Sequence, residues 1–136
     1  MEAQTELLTQ ITAQIQLALP AGWSRLQAGY DAVGDYTACS ALVWMQNGAL
    51  FGTALPDSVV QGFANLRAGM ARPETGTWLH ATYWLNDPDR FSIEYDRQGI
   101  PQFEVPATAK DCARELELYP RSDENIPGWM RELLAG

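Results

Sequence analysis

The stretch WLHATYWLNDPDRFSIEYD, residues 78–96, decides the fold because it predicts two β-strands joined by a tight, acidic turn. Side-chain character alternates along each half, and a period of two is typical of a strand, whose successive side chains leave opposite faces. Residues 86–89 (NDPD) supply the turn, since Asn and Asp bond their own backbone and Pro fixes φ. We therefore expect a β-hairpin with one buried face.

The two faces of this hairpin differ in composition. The apolar face is formed by alternate residues of both strands: Leu79, Ala81, Tyr83, Leu85, Phe91, Ile93 and Tyr95. The other face carries Trp78, His80, Thr82, Trp84, Ser92, Glu94 and Asp96. Protein interfaces place aromatic residues at the centre and charge at the edge. We predict that the partner-binding residues are Trp78, Trp84, Asp87, Asp89, Glu94 and Asp96; the alternative is that a helix covers one or both tryptophans.

The first half of the chain predicts one helix and three strands. Apolar residues at three- and four-residue spacing predict a helix over residues 2–19, which Pro20 and Gly22 end. Strands follow at 23–31, 36–46 and 49–55, joined by a turn at 32–35 and by Asn47-Gly48, which predicts a type I′ turn. Because the strand at 36–46 is apolar on both faces near its end, we expect it to be central in the sheet.

The second half adds helices around the hairpin. A helix capped by Asp57 or Ser58 is predicted to bury Val59, Val60, Phe63, Leu66 and Met70. After a loop at 97–106, a helix at 108–118 is predicted to turn Ala109, Cys112, Ala113 and Leu116 inward, and a short last helix begins at Pro127. The order α-βββ-α-ββ-α with a short C-terminal helix predicts a single α+β domain, residues 1–136, with an antiparallel sheet.

Composition limits the classes of partner. The chain has 136 residues and a formal net charge of −8, with 46% hydrophobic residues, which is ordinary for a globular protein. Net negative charge disfavours nucleic acid and anionic membranes, because phosphates attract Lys and Arg clusters, and is compatible with a basic protein partner. The N-terminus, MEAQTELL, is acidic and no long apolar run occurs, so we expect no signal peptide, no membrane span and a cytoplasmic protein.

No constellation in the sequence predicts catalysis. His80 is the only histidine, and Cys39 and Cys112 lack metal-ligand spacing and are expected to be small buried residues. A disulfide between them has nothing in its favour, and neither a G-x-S-x-G elbow nor a P-loop occurs. Glu94 and Asp96 share a strand face, so a carboxylate-based enzyme is conceivable, but solvated charge is the simpler interpretation. We expect no enzymatic activity, no cofactor and no metal.

Four segments give the chain a family likeness. They are LALPAGW at 17–23, GTWLHATYWL at 76–85, FSIEYD at 91–96, and a tail with YPR at 119–121 and NIPGWM at 125–130. With these segments in this order, the chain resembles the YezG-like antitoxin family, the immunity proteins of polymorphic bacterial toxin systems. The resemblance implies a non-enzymatic protein that neutralises a cognate toxin, often a nuclease, by occluding its basic active site. The turn NDPDR departs from the Gly-containing turn of many relatives, and no contact residue can be transferred.

A second resemblance is weaker. The element order, small size and acidity are similar to those of class I type III secretion chaperones, which hold an unfolded effector segment. No motif of those chaperones occurs in the sequence, and the NIPGW tail is unlike them. The chaperone is therefore the second hypothesis, and a small carboxylate-based enzyme is the third.

Overall fold

A computed structural model describes residues 2–136 and, within them, four α-helices and five antiparallel strands. The elements are α1 (Glu2–Ala18), β1 (Trp23–Val33), β2 (Tyr36–Met45), β3 (Leu50–Thr53), α2 (Asp57–Gly69), β4 (His80–Asn86), β5 (Arg90–Asp96), α3 (Ala109–Leu118), a 3₁₀ turn (Asp123–Asn125) and α4 (Gly128–Ala135). The predicted α+β class and element order are confirmed. No helix among these residues has the length and apolar character that a membrane crossing requires.

The sheet has the order β3-β2-β1-β4-β5, so β1 is the central strand. The strand predicted at 36–46 is an interior strand, since β2 pairs with β1 and β3, but it is not the middle one, because the β4–β5 hairpin adds to the other side of β1. β1 also runs to Val33, since Ala32 and Val33 pair with Thr37 and Tyr36 and are buried. β2 is covered on one face only, and Leu42 on its other face is 42% exposed.

Helices α1 and α2 pack on the same face of the sheet and form the main core with it. This core includes Ile11, Ile15, Leu26, Ala28, Tyr30, Val43, Val59, Phe63, Leu66, Trp78, Ala81, Tyr83 and Leu85. The apolar stripes predicted for α1 and α2 supply most of the helical contribution. The other face of the sheet receives neither of these two helices, and α3 and α4 pack against Val33 at the end of β1.

The chain bends at Leu79, immediately before β4 begins. Side-chain alternation therefore does not extend back through the bend, and Trp78 and Leu79 are both fully buried. The Trp78 ring packs in the main core, with its centroid 5.8 Å from that of Tyr30. Leu79 instead joins a second cluster with Val33, Cys112 and Met130, beneath α3 and α4. The prediction that Trp78 lies on the face of His80 and Trp84 is wrong, and Trp78 cannot be an exposed anchor.

Two local predictions also differ from the structure. The N-cap of α2 is Pro56 and makes no side-chain cap bond, so neither Asp57 nor Ser58 caps that helix. At the β2–β3 hairpin only Gly48 has positive φ, and Met45 bonds both Gly48 and Ala49. This arrangement is a bulged turn, not type I′.

Helix α3 begins with a capping box, because the Thr108 side chain accepts from the Asp111 N–H while Asp111 accepts from the Thr108 N–H. Cys112 is buried as predicted, whereas Ala109 and Ala113 are exposed. A fully buried carboxylate, Glu115, lies on the inward side instead.

Glu115 lies at the junction of four segments. Its Oε1 atom accepts from the guanidinium of Arg67 on α2 and from the N–H of Gly34 in the β1–β2 turn. Arg67 is also buried and donates through Nε to the carbonyl of Trp78 at 2.9 Å. Glu115 Oε2 has no hydrogen-bond donor among the described residues, so the desolvation of this buried ion pair is offset through Oε1 and the other acceptors of Arg67. This network therefore fixes α3 to α2, to the β1–β2 turn and to the segment before β4.

Replacing Tyr83 by phenylalanine is expected to lower the free energy of unfolding by about 1 kcal/mol. The Tyr83 hydroxyl lies 2.6 Å from the buried Thr12 hydroxyl, which would lose its partner. Burial also raises the pKa of Tyr83 to about 12. Urea unfolding measures the change, and Tyr36→Phe, which removes the exposed bond to the Val105 carbonyl, is the control. Equal effects of the two substitutions would contradict a special contribution from the buried pair.

Candidate functional site

The open face of the sheet, turned away from α1 and α2, is the candidate site. Cross-strand partners in register define it. It includes Arg25, Gln27, Gly29, Asp31, Ala38, Ser40, Leu42, Trp44, Leu50, Gly52, His80, Thr82, Trp84, Asn86, Arg90, Ser92, Glu94 and Asp96. Sequence alternation predicts that the β4 and β5 residues of this face lie together. The β1 and β2 residues beside them could not be predicted in this way, because their position depends on the strand order.

A hydrogen-bonded chain of three side chains lies at the middle of the open face. His80 Nδ1 is 2.7 Å from Asp31 Oδ1, and Nε2 is 2.8 Å from Thr82 Oγ1. Since a carboxylate only accepts, Nδ1 donates to Asp31, and Nε2 shares the second hydrogen bond with the Thr82 hydroxyl. Asp31 is buried and His80 is half-buried. The imidazole is therefore held in one orientation within the surface.

This carboxylate–imidazole–hydroxyl order is also the order of a nucleophilic triad. Such a triad needs N–H donors near the hydroxyl to stabilise an oxyanion. Thr82 is a mid-strand residue paired with Gly29 on one side and Glu94 on the other, so the amides around it belong to the sheet. The two hydrogen bonds to the His80 ring therefore act to fix its orientation.

An open depression of about 550 Å³ lies beside His80. Its lining comprises Gln27, Gly29, Asp31, Ser40, Ala41, Leu42, Gly52, Thr53, His80, Thr82 and Gln102. The loop at 97–108 borders one end, where Phe103 stacks on Tyr36 with ring centroids 4.0 Å apart. This lining combines the Asp31–His80 pair with backbone, hydroxyl, amide and leucine groups, so that both polar and apolar atoms face the depression.

Aromatic residues occupy the opposite end of the open face from that loop. Trp84 is half-buried between Gln27 of β1 and Ser92 of β5. Trp44 lies under the guanidinium of Arg25, with the Arg25 Cζ atom 5.4 Å from the ring centroid. Trp84 thus lies on the face that the sequence predicts, whereas Trp78 does not. The second tryptophan on this face is Trp44 of β2, not Trp78. The alternation pattern of one strand could not show that Trp44 and Trp84 share a face.

The predicted acidic residues separate into two groups. Asp87 and Asp89 are exposed in the β4–β5 turn, where the Asp87–Pro88 peptide is cis, and the turn lies beside α1 because Gln16 Nε2 donates to the Pro88 carbonyl. Glu94 and Asp96 lie on the open face of β5, opposite Thr82 and His80 respectively. The two groups together form an acidic border along one edge of the sheet.

Asp96 has a structural role in addition to its place on that border. Its Oδ1 atom accepts from the N–H groups of Gln98 and Gly99, at 3.0 and 2.9 Å. These backbone hydrogen bonds lower the pKa of Asp96. Among the residues of the acidic border, Asp96 is therefore the one whose replacement would also disturb the following loop.

The described residues include no group of three or more His, Cys, Asp or Glu side chains placed to hold a metal ion. The tail segments of the family likeness are structural: Arg121 donates to the carbonyls of Thr77 and Arg97, and Asn125 donates to the Glu74 carbonyl. These contacts join the tail to the segment that leads into β4. The tail therefore does not belong to the open face, but it holds the chain segments that precede β4 and follow β5.

Both cysteines are expected to react slowly with thiol reagents in the native protein at neutral pH. Burial raises the pKa of Cys39 and of Cys112 to about 11, and only the thiolate is reactive. An absorbance assay with an aromatic disulfide measures the rate, with the urea-unfolded chain as the reference. A native rate equal to the unfolded rate would contradict the protection of the buried Cys112 and the half-buried Cys39.

A scan of protein-family models and a search of curated proteins gave no match to this chain.

Proposed function

We propose that the chain is a cytoplasmic immunity protein that binds and neutralises a cognate bacterial toxin domain through the open face of its sheet. The observation that carries the proposal is that Trp84 and Trp44 lie together on the sheet face turned away from α1 and α2. Large aromatic residues that face solvent on a regular scaffold are typical of an interface centre. The family likeness of the four sequence segments supports the same function.

Charge supports a basic partner. The chain carries a net charge of −8, and Asp87, Asp89 and Glu94 are exposed along one edge of the candidate site. An acidic border steers a basic protein into the encounter and suppresses neutral or acidic competitors. A nuclease toxin has a basic active site, because it binds phosphates. Occlusion of that site by the open face would neutralise the toxin without any catalysis by the immunity protein.

Co-expression in bacteria with a toxin encoded beside the gene for this chain tests the function. Growth should be restored by the wild-type chain, and the purified proteins should form a complex in which the toxin is inactive. A complex without loss of toxin activity, or rescue without a complex, would contradict neutralisation by binding. Failure to bind any toxin encoded beside the chain would reject the proposal.

A class I secretion chaperone is the second candidate. The element order of this chain, α-βββ-α-ββ-α, is similar to that of those chaperones. A chaperone would bind an unfolded effector segment, whereas an immunity protein binds a folded toxin domain. Binding to the isolated, unfolded N-terminal segment of the neighbouring gene product would favour the chaperone.

Charge reversal of the acidic turn should slow toxin association. We expect Asp87→Lys with Asp89→Lys to lower the association rate by at least about tenfold at low salt, with a smaller difference at high salt, because steering is screened. Stopped-flow fluorescence measures the rate. The matched control reverses two exposed acids of the 3₁₀ turn, Asp123→Lys with Glu124→Lys, and changes net charge equally. Equal slowing by both pairs would assign the effect to net charge and not to this border.

A further inference from the structure

The two edges of the sheet differ in how they are protected. Edge strands expose unpaired N–H and C=O groups, which proteins usually guard with charge, proline or a covering segment. The β5 edge carries Arg90, Glu94 and Asp96. The β3 edge carries none of these: all four of its residues are exposed, with Leu50 at 53% and Phe51 at 40%. The β3 edge is therefore chemically open to strand addition.

The chain segment that contains β3 carries no charged residue. Residues 36–56, which include β2, β3 and the turn between them, contain no Asp, Glu, Lys, Arg or His. In a chain with a net charge of −8, two copies repel each other over most of their surface. The β2–β3 hairpin is thus a region where two copies can approach without placing like charges together.

The backbone of β3 is self-complementary. Hydrogen-bonded pairs alternate along an antiparallel ladder, and Met45 bonds Ala49 at the hairpin turn. Phe51, opposite Val43, therefore bonds β2, while the N–H and C=O groups of Leu50 and Gly52 face outward. In an antiparallel pairing centred on Phe51, Leu50 of each copy lies opposite Gly52 of the other. In each of these two pairs, the outward N–H and C=O groups of both residues would be hydrogen-bonded.

Side chains fit the same register. The two Phe51 rings would meet at the twofold axis in a non-hydrogen-bonded pair, where side chains approach most closely. On the open face each Leu50 would lie over Gly52 of the other copy, which has no side chain to obstruct it. Leu42, opposite Gly52 within one copy and itself 42% exposed, would extend the apolar contact.

We propose that β3 is the docking site of a second copy of this chain, paired antiparallel about Phe51, so that the two sheets become one continuous sheet. The open faces of both copies then lie on one side of the dimer, with the acidic β5 borders at its two outer ends. The pairing uses the edge farthest from that border and needs no toxin, so it can be tested on the isolated chain.

Sedimentation equilibrium over a range of micromolar concentrations tests the pairing. Wild type should dimerise, and Phe51→Lys should be monomeric because two charges would meet at the twofold axis. Gly52→Pro should also be monomeric, since it removes an outward N–H while leaving the bonds between β2 and β3 intact. Ser92→Lys, on the opposite edge, is the matched control and should stay dimeric. Circular dichroism and thermal melts verify that each variant is folded.

Cysteine cross-linking tests the register. Phe51→Cys should form an intermolecular disulfide on mild oxidation, whereas Ser92→Cys should not. A wild type that is monomeric throughout, a dimer that survives both Phe51→Lys and Gly52→Pro, or a Phe51→Cys dimer that does not cross-link would overturn the proposal. A monomeric wild type whose toxin binding is lost on Phe51→Lys would also overturn it, and would assign β3 to a strand of the toxin.

Discussion

Glu115→Ala is expected to lower the free energy of unfolding by about 3–5 kcal/mol, a larger loss than that expected for Tyr83→Phe. The substitution removes the carboxylate that Arg67 and the Gly34 N–H both use. Arg67 is 4% exposed, so its charge would remain buried without its anionic partner. Urea unfolding followed by circular dichroism measures the change.

Two variants make this result specific. Glu117→Ala, two residues away on the same helix, removes an exposed ion pair with Arg114 and should change stability by less than about 1 kcal/mol. Glu115→Gln keeps an oxygen acceptor for the Gly34 N–H and should lie between wild type and Glu115→Ala. If Glu115→Ala were no more destabilising than Glu117→Ala, the buried network would not be what holds α3 in place.

The Glu115 network also shows where sequence patterns stop being informative. Arg67 and Glu115 lie in helices, where charged residues are ordinarily solvated, and 48 positions separate them. No local signal connects residues so far apart, because their proximity depends on how α2 and α3 pack. The same limitation applies to Asp31 and His80, which are 49 positions apart and meet only because β1 pairs with β4.

Local patterns were sufficient for features whose cause is local. Alternation in residues 80–86 correctly separates Ala81, Tyr83 and Leu85 from Thr82 and Trp84, because a paired strand must show its side chains on alternate faces. The pattern gave a wrong result for Trp78, where the bend at Leu79 interrupts the strand. The pattern also did not show that β1, and not β2, is the middle strand, since strand order is decided by long-range pairing and not by the composition of one strand.

Trp84→Ala is expected to weaken toxin binding by at least about 2 kcal/mol, a rise in Kd of roughly 30-fold. Trp84 lies on the open face between Gln27 and Ser92. Unlike Tyr83 and Leu85, it does not belong to the main core beneath α1 and α2. Its truncation should therefore remove binding energy with a smaller effect on folding. Isothermal titration calorimetry with the purified toxin domain measures Kd, and a thermal melt checks the fold.

The control must remove comparable exposed apolar surface elsewhere. Leu134 of α4 is 40% exposed and does not belong to the open face, so Leu134→Ala should change Kd by less than about twofold. A Trp84→Ala variant that binds as tightly as Leu134→Ala would place the toxin interface off this face. Loss of binding by Trp84→Ala alone, with both variants folded, would instead place the centre of the interface where the aromatic and acidic parts of the open face meet.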